Sequence, residues 1–186
     1  MGLAAASVPV PKEKPAQVIQ PPIPQMKPEV ISPTAKGNEL LDFIGMLESS
    51  DNYNIVVGGK EKPLTKMTVK QVMALQKERK DKKLGTPVGK YQIKDTTLKQ
   101  TIRRLGINEN EIFDKNLQDK MGRQLLKDRG FEDYKAGKIS TKELIKNLAM
   151  EWAALPKDES NESYYKGTGN NKALVDFKTV KELLEK

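Results

Sequence analysis

Leu40-Leu41-Asp42-Phe43-Ile44-Gly45-Met46-Leu47-Glu48-Ser49 is the stretch on which the fold turns. Leu40, Leu41, Phe43, Ile44 and Leu47 recur at the spacing of one buried helix face. Glu48 follows Leu47 directly and so stands at the rim of that apolar stripe. Tyr53-Asn54-Ile55-Val56-Val57-Gly58-Gly59 then leaves helical periodicity for a short β-type run closed by a double-glycine turn. A carboxyl held against apolar surface loses hydration, and its pKa rises toward that of a useful general acid. A lone glutamate near a helix end is ordinarily a solvated surface residue. What lies around this one gives it weight.

Working outward, the periodicity predicts a mostly helical α+β domain with one small β element. Asn38 is placed to cap the first helix. Thr68 is a candidate N-cap for a helix through Val69, Val72, Met73 and Gln76 toward Lys83, and Leu84-Gly85-Thr86-Pro87 breaks it. Further helices are expected over 96–105, 116–127, 141–155 and 172–185. Gly106, Gly130 and Pro156 stand just past three of their ends, where stop signals belong. Gln118-Asp119 reads as capping and dipole support near a helix start, and Trp152 with Leu148, Ala149 and Leu155 reads as core. No repeat period is visible. Residues 1–36 hold eight of the 11 prolines, which fix φ and remove backbone donors, so this segment reads as an extended arm or tether. Residues 37–186 carry the pattern of one compact domain.

Composition narrows the chemistry. The chain has 186 residues with no Cys and no His, which excludes disulfides, thiol nucleophiles, Ser-His-Asp triads and Cys/His zinc sites. Proton transfer then falls to carboxylates, Tyr or Lys, and the reading calls for no metal and no cofactor. The 33 Lys and Arg outnumber 25 Asp and Glu, a net charge of +8 that suits an anionic partner such as an acidic polymer. The lysines alternate with acids, and no nucleic-acid recognition signature is present, so no specific nucleic acid is expected. No run is long enough for a transmembrane segment. The N-terminus lacks a basic leader and is interrupted by Pro9 and Pro11, so no signal peptide is expected.

The second informative stretch is Thr86-Pro87-Val88-Gly89-Lys90-Tyr91-Gln92-Ile93. Gly89 permits a tight turn, and Tyr91 and Gln92 can offer an aromatic face and an amide to a sugar ring. A helix ending in Glu-Ser, followed some forty residues later by Gly-x-x-Gln-Ile, resembles lytic transglycosylases and lysozyme-like muramidases. The likeness sharpens toward the lambda-type phage lysozyme and endolysin family. It rests on Tyr53 to Gly59, Pro63 to Thr68, Gly89 to Gln92, Phe113 to Asp119, Leu125 to Gly130, Leu148 to Pro156 and Ser163 to Gly167.

That resemblance implies a lysozyme-like domain that cleaves the β-1,4 bond between N-acetylmuramic acid and N-acetylglucosamine. Glu48 would be the catalytic acid and base. Ser49, Tyr53, Tyr91, Gln92, Tyr164 and Tyr165 would line the substrate. A lytic transglycosylase needs one carboxylate, whereas a hydrolytic muramidase needs a second, for which Asp51 and Asp95 are the candidates. A virion protein that grips cell wall without cutting it is the alternative from another class. Peptidoglycan strands are the implied partner, with other virion proteins through the proline-rich arm. The implied location is the phage virion, or the infected host cytoplasm with access to the wall.

Overall fold

The apolar stripe of the opening stretch folds into helix α1, Ala35–Ser49, in a computed structural model that describes residues 35–169 and 171–186. The helix starts three residues ahead of Asn38, which lies inside it rather than capping it. Leu40, Leu41 and Ile44 are buried, while Phe43 and Leu47 pack against the core from its edge. The expected arm, Ala35 and Lys36 apart, lies outside the described residues.

Strands β1, Ile55–Val56, and β2, Lys60–Glu61, pair antiparallel about the Gly58-Gly59 turn, with Val56 opposite Lys60. A 3-10 turn at Leu64–Lys66 leads to helix α2, Val69–Asp81. Thr68 caps α2 as expected, and Gln71 answers it: the Thr68 Oγ1 accepts the Gln71 N–H while the Gln71 side chain accepts the Thr68 N–H. Helix α3, Asp95–Leu105, stops at Gly106, and helix α4, Lys115–Asp128, starts on the side chain of Asp114. Asp114, not Gln118 or Asp119, is therefore the cap of α4.

Three departures from the periodicity matter. A short helix α5, Phe131–Lys135, follows Gly130, which the pattern had marked only as a stop. Helix α6, Thr141–Ala149, ends six residues before Leu155. The Trp152 N–H still bonds the Leu148 carbonyl, but the chain turns there, and the indole N–H donates to the Tyr91 carbonyl at 3.2 Å. Tertiary hydrogen bonding outweighs local helix propensity at this corner. Helix α7, Phe177–Glu185, starts late because Asp176 is its cap, and the preceding loop is held by the Leu174 N–H on the Ala154 carbonyl at 2.8 Å.

Helix α1 packs on α4 and α7, α2 on α3, α3 on α4, and α6 on α5 and α7. One continuous apolar cluster joins them, with Phe113, Met121, Leu144, Leu148, Trp152 and Leu155 fully enclosed. About half of the described chain is helix and the sheet has two strands, an α+β arrangement. Among the described residues no helix is long and apolar enough to cross a membrane.

Candidate active site

The end of α1 is built without glycine. The Ser50 N–H bonds the Met46 carbonyl and the Asp51 N–H reaches back to the Gly45 carbonyl, which satisfies two terminal carbonyls of the helix. Both Ser50 and Asp51 sit at positive φ, 52° and 60°, a costly conformation for residues with a Cβ. That reversal leaves Glu48 facing the α6 corner and sends Asp51 the other way. Ser49 is buried, and the single proton of its hydroxyl is shared between the Gly45 carbonyl at 3.0 Å and the Lys90 carbonyl at 2.8 Å. It anchors the helix end to the loop before α3; its hydroxyl is occupied by protein carbonyls.

Glu48 is half-buried. Its Oε1 accepts the Ala154 N–H at 3.1 Å, a bond that exists because α6 stops early and turns through Trp152. Burial pushes the carboxyl above the usual carboxylate range; the Ala154 N–H and the charge of Lys94 pull it back, and Glu151 adds to the rise. The net direction is upward.

Asp51, Asp95 and Glu151 are each tied to a cation. Glu151 is gripped through one oxygen by the Arg129 guanidinium, with the Nε at 3.0 Å. Asp51 pairs with the Lys90 ammonium at 3.1 Å. Asp95 bonds Lys80 at 2.9 Å and accepts the Thr86 hydroxyl at 3.1 Å; burial pushes its pKa up, but these partners outweigh it and the net is lowered. Asp95 lines a shallow groove between α2 and α3 with Met73, Lys77, Lys80 and Lys99, and Glu48 is not part of that groove.

Behind Glu48 lies a knot of polar groups that periodicity does not reveal. The side chain of Lys90 is only 6% exposed, yet its ammonium meets Asp42 at 3.0 Å as well as Asp51. Burial pulls its pKa down, and the two carboxylates overcome this and hold it above the ordinary lysine value. The same ammonium lies over the rings of Tyr53 and Tyr91, 5.2 and 5.6 Å from their centroids. Both tyrosine hydroxyls donate to one oxygen of Asp119, at 2.9 and 2.8 Å. Gln118 accepts the Lys90 N–H and donates to the carbonyls of Tyr53 and Phe113. Two helical glycines make room: a Cβ on Gly45 would lie 2.2 Å from Lys90 Cε, and one on Gly122 2.9 Å from the Tyr91 ring.

The residues singled out from sequence thus divide. Tyr91 is 2% exposed and turns its ring inward, so its face is covered by protein. Tyr53 is half-buried on the same Asp119. Gln92 is half-buried in a left-handed conformation (φ 45°), and its amide donates to the Gly89 carbonyl at 2.9 Å. Tyr165 donates to the Met150 carbonyl at 2.6 Å, lies under the Lys94 ammonium at 4.5 Å and meets Tyr164 edge-on at 5.4 Å. Tyr164 is 44% exposed. Sequence reading missed Lys90, Asp42, Asp119 and the Ala154 N–H. The Lys90-Tyr91 pair inside the quoted loop was the one available signal; a backbone donor leaves none.

Among the described residues no group of acids is arranged to hold a metal ion. Comparison with curated proteins and with solved structures returned no match. A family model described as Endolysin matches residues 39–178, which take in every helix from most of α1 to the start of α7. That span is well over half of the 186 residues, and the chain belongs to the endolysin family, phage enzymes that degrade peptidoglycan.

Proposed function

We propose that this endolysin cuts the β-1,4 bond between N-acetylmuramic acid and N-acetylglucosamine as a lytic transglycosylase, with Glu48 as acid and then base, on a lysozyme-like domain. The observation that carries the reading is the contrast in carboxylate environments. Glu48 is desolvated and held by a single backbone N–H, while Asp51, Asp95 and Glu151 are each held by a cation. A desolvated carboxyl keeps its proton to higher pH and can give it to a leaving oxygen. A carboxylate fixed on an ammonium or guanidinium is a poor base for water.

In the first half of the reaction the Glu48 proton passes to the glycosidic oxygen as its bond to C1 of muramic acid breaks. In the second half the C6 hydroxyl of the same sugar bonds to C1 and returns its proton to the Glu48 carboxylate. The product is a 1,6-anhydro ring, and no water is consumed. Because the nucleophile is intramolecular, effective molarity takes the place of a positioned water. Gln92, Tyr164 and Tyr165 are the groups we assign to saccharide contact. Ser49 and Tyr91, both buried, and Tyr53, bonded with Tyr91 to Asp119, serve this site by positioning the loop and helix end. The domain from about residue 37 does the cutting and the proline-rich arm tethers it, to a virion or other partner.

Mass spectrometry of the fragments released from purified wall tests this. Anhydro-muramic ends, one water lighter than hydrolytic ends, are expected. Reducing muramic ends as the main product would replace the transglycosylase with a muramidase, and intact glycan would leave only a wall-binding role.

A further inference from the structure

One cation whose charge reaches Glu48 is held over an aromatic ring. Lys94 lies two residues past Gln92, and its ammonium rests 4.5 Å over the Tyr165 ring. Tyr165 is itself fixed, by its hydroxyl on the Met150 carbonyl, in the same corner that offers the Ala154 N–H to Glu48. Tyr164 extends the aromatic surface into solvent. Among the described residues Lys94 enters no ion pair.

A positive charge here works against a general acid, because it favours the ionised carboxylate. Acid tuning therefore gives no reason for a lysine to be held at this place. The ring contact restrains a long side chain that otherwise samples many rotamers. A restrained ammonium over the half-buried Tyr165 ring, with the exposed Tyr164 ring alongside, suits a sugar that carries an anion. Muramic acid is such a sugar: its lactyl ether ends in a carboxyl, either free or extended by a peptide that bears carboxylates of its own.

We propose that Lys94, held over Tyr165 and flanked by Tyr164, is a subsite that binds a carboxylate on the muramic acid side of the glycan next to the scissile bond. The proposal rests on the reading of Glu48 as the acid acting on that strand.

The test is a binding cycle in the Glu48→Gln background, where strands are held and not cut. Four glycan preparations are compared: stem peptides intact or enzymatically removed, each with carboxylates free or capped as methylamides. Capping is expected to weaken binding about 3- to 10-fold, the range of an exposed to partly desolvated charge contact. Adding Lys94→Gln should weaken binding to free carboxylates by the same factor and abolish the effect of capping, and Lys94→Arg should restore part of it. An effect confined to peptide-free strands assigns the lactyl carboxylate; one confined to peptide-bearing strands assigns the stem. If capping and Lys94→Gln act multiplicatively, the subsite does not exist. Wild-type cleavage is scored separately, so a protein that couples Lys94 to carboxylate yet leaves wall uncut overturns the catalytic reading alone.

Discussion

Glu48 and Asp51 close the same helix and end in opposite surroundings. Asp51 turns into a region of shared partners: Lys90 between Asp42 and Asp51, and two tyrosine hydroxyls on Asp119. Glu48 turns to a corner where burial is answered by one N–H. The difference teaches that a carboxylate's role is set by what surrounds it rather than by its type or its place in the chain. The cross-linked region fixes geometry, and the corner around Glu48 leaves a desolvated carboxyl that can exchange a proton.

The largest effect expected from breaking that contrast is on the rate. Glu48→Gln keeps the shape and removes the proton, so glycan cleavage should fall by about 10²–10⁴-fold. Because burial raises the Glu48 pKa, its contribution to stability is present at low pH and is lost as pH rises through the folded value. The amide removes that loss, so Glu48→Gln should unfold at a higher temperature than wild type at neutral pH and not at pH 4. Equal unfolding temperatures at both pH values would show that Glu48 is not desolvated.

In the region around Lys90, Lys90→Met should cost about 1–3 kcal/mol in denaturant unfolding, because the exposed Asp42 falls back on water while the Asp51 oxygen that faced the ammonium is buried. Activity should fall too, because the ammonium's grip on Asp42 and Asp51 fixes the loop whose Lys90 carbonyl holds Ser49 beside Glu48. Stability kept within 0.5 kcal/mol (roughly the scatter for a surface change) would reduce the knot to surface charge.

A smaller shift is expected in the pH profile. The acid must be protonated, so cleavage is lost as pH rises through the Glu48 pKa. Lys94 pulls that pKa down, and Lys94→Gln should therefore move the alkaline limb of kcat to higher pH. A limb that moves to lower pH would place the controlling group elsewhere.

The smallest effect concerns strain. Ser50→Gly relieves a left-handed serine and should stabilise the domain by about 0.5–1 kcal/mol with cleavage unchanged. Asp51→Gly relieves the same strain and gives up the Lys90 pair, so its net gain should be less or negative.

Much of the helical frame was legible in the chain. The Thr68-x-x-Gln71 box, Gly106 and the apolar stripe of α1 act through neighbours within one helical turn, and sequence spacing reports such contacts directly. Asn38 misled because an apolar-periodic helix extends into any preceding residues that tolerate it. Helix α6 looked longer because Leu155 and Trp152 keep helical spacing although the chain leaves the helix. Gln118 and Asp119 look like helix-start residues by position, yet their partners Tyr53 and Tyr91 come from 66 and 28 residues away for Asp119.

The amino-acid order by itself determined an apolar face ending in Glu48, the absence of thiol and imidazole chemistry, and the loop containing Gly89, Tyr91 and Gln92. These are local or compositional facts. The tertiary structure alone decided that the Ala154 N–H meets Glu48, that Lys90 pairs with Asp51, and that Lys94 stands over Tyr165. Burial and Coulomb fields depend on distance in space, and a chain that folds back on itself brings together groups whose separation in sequence carries no record of the meeting.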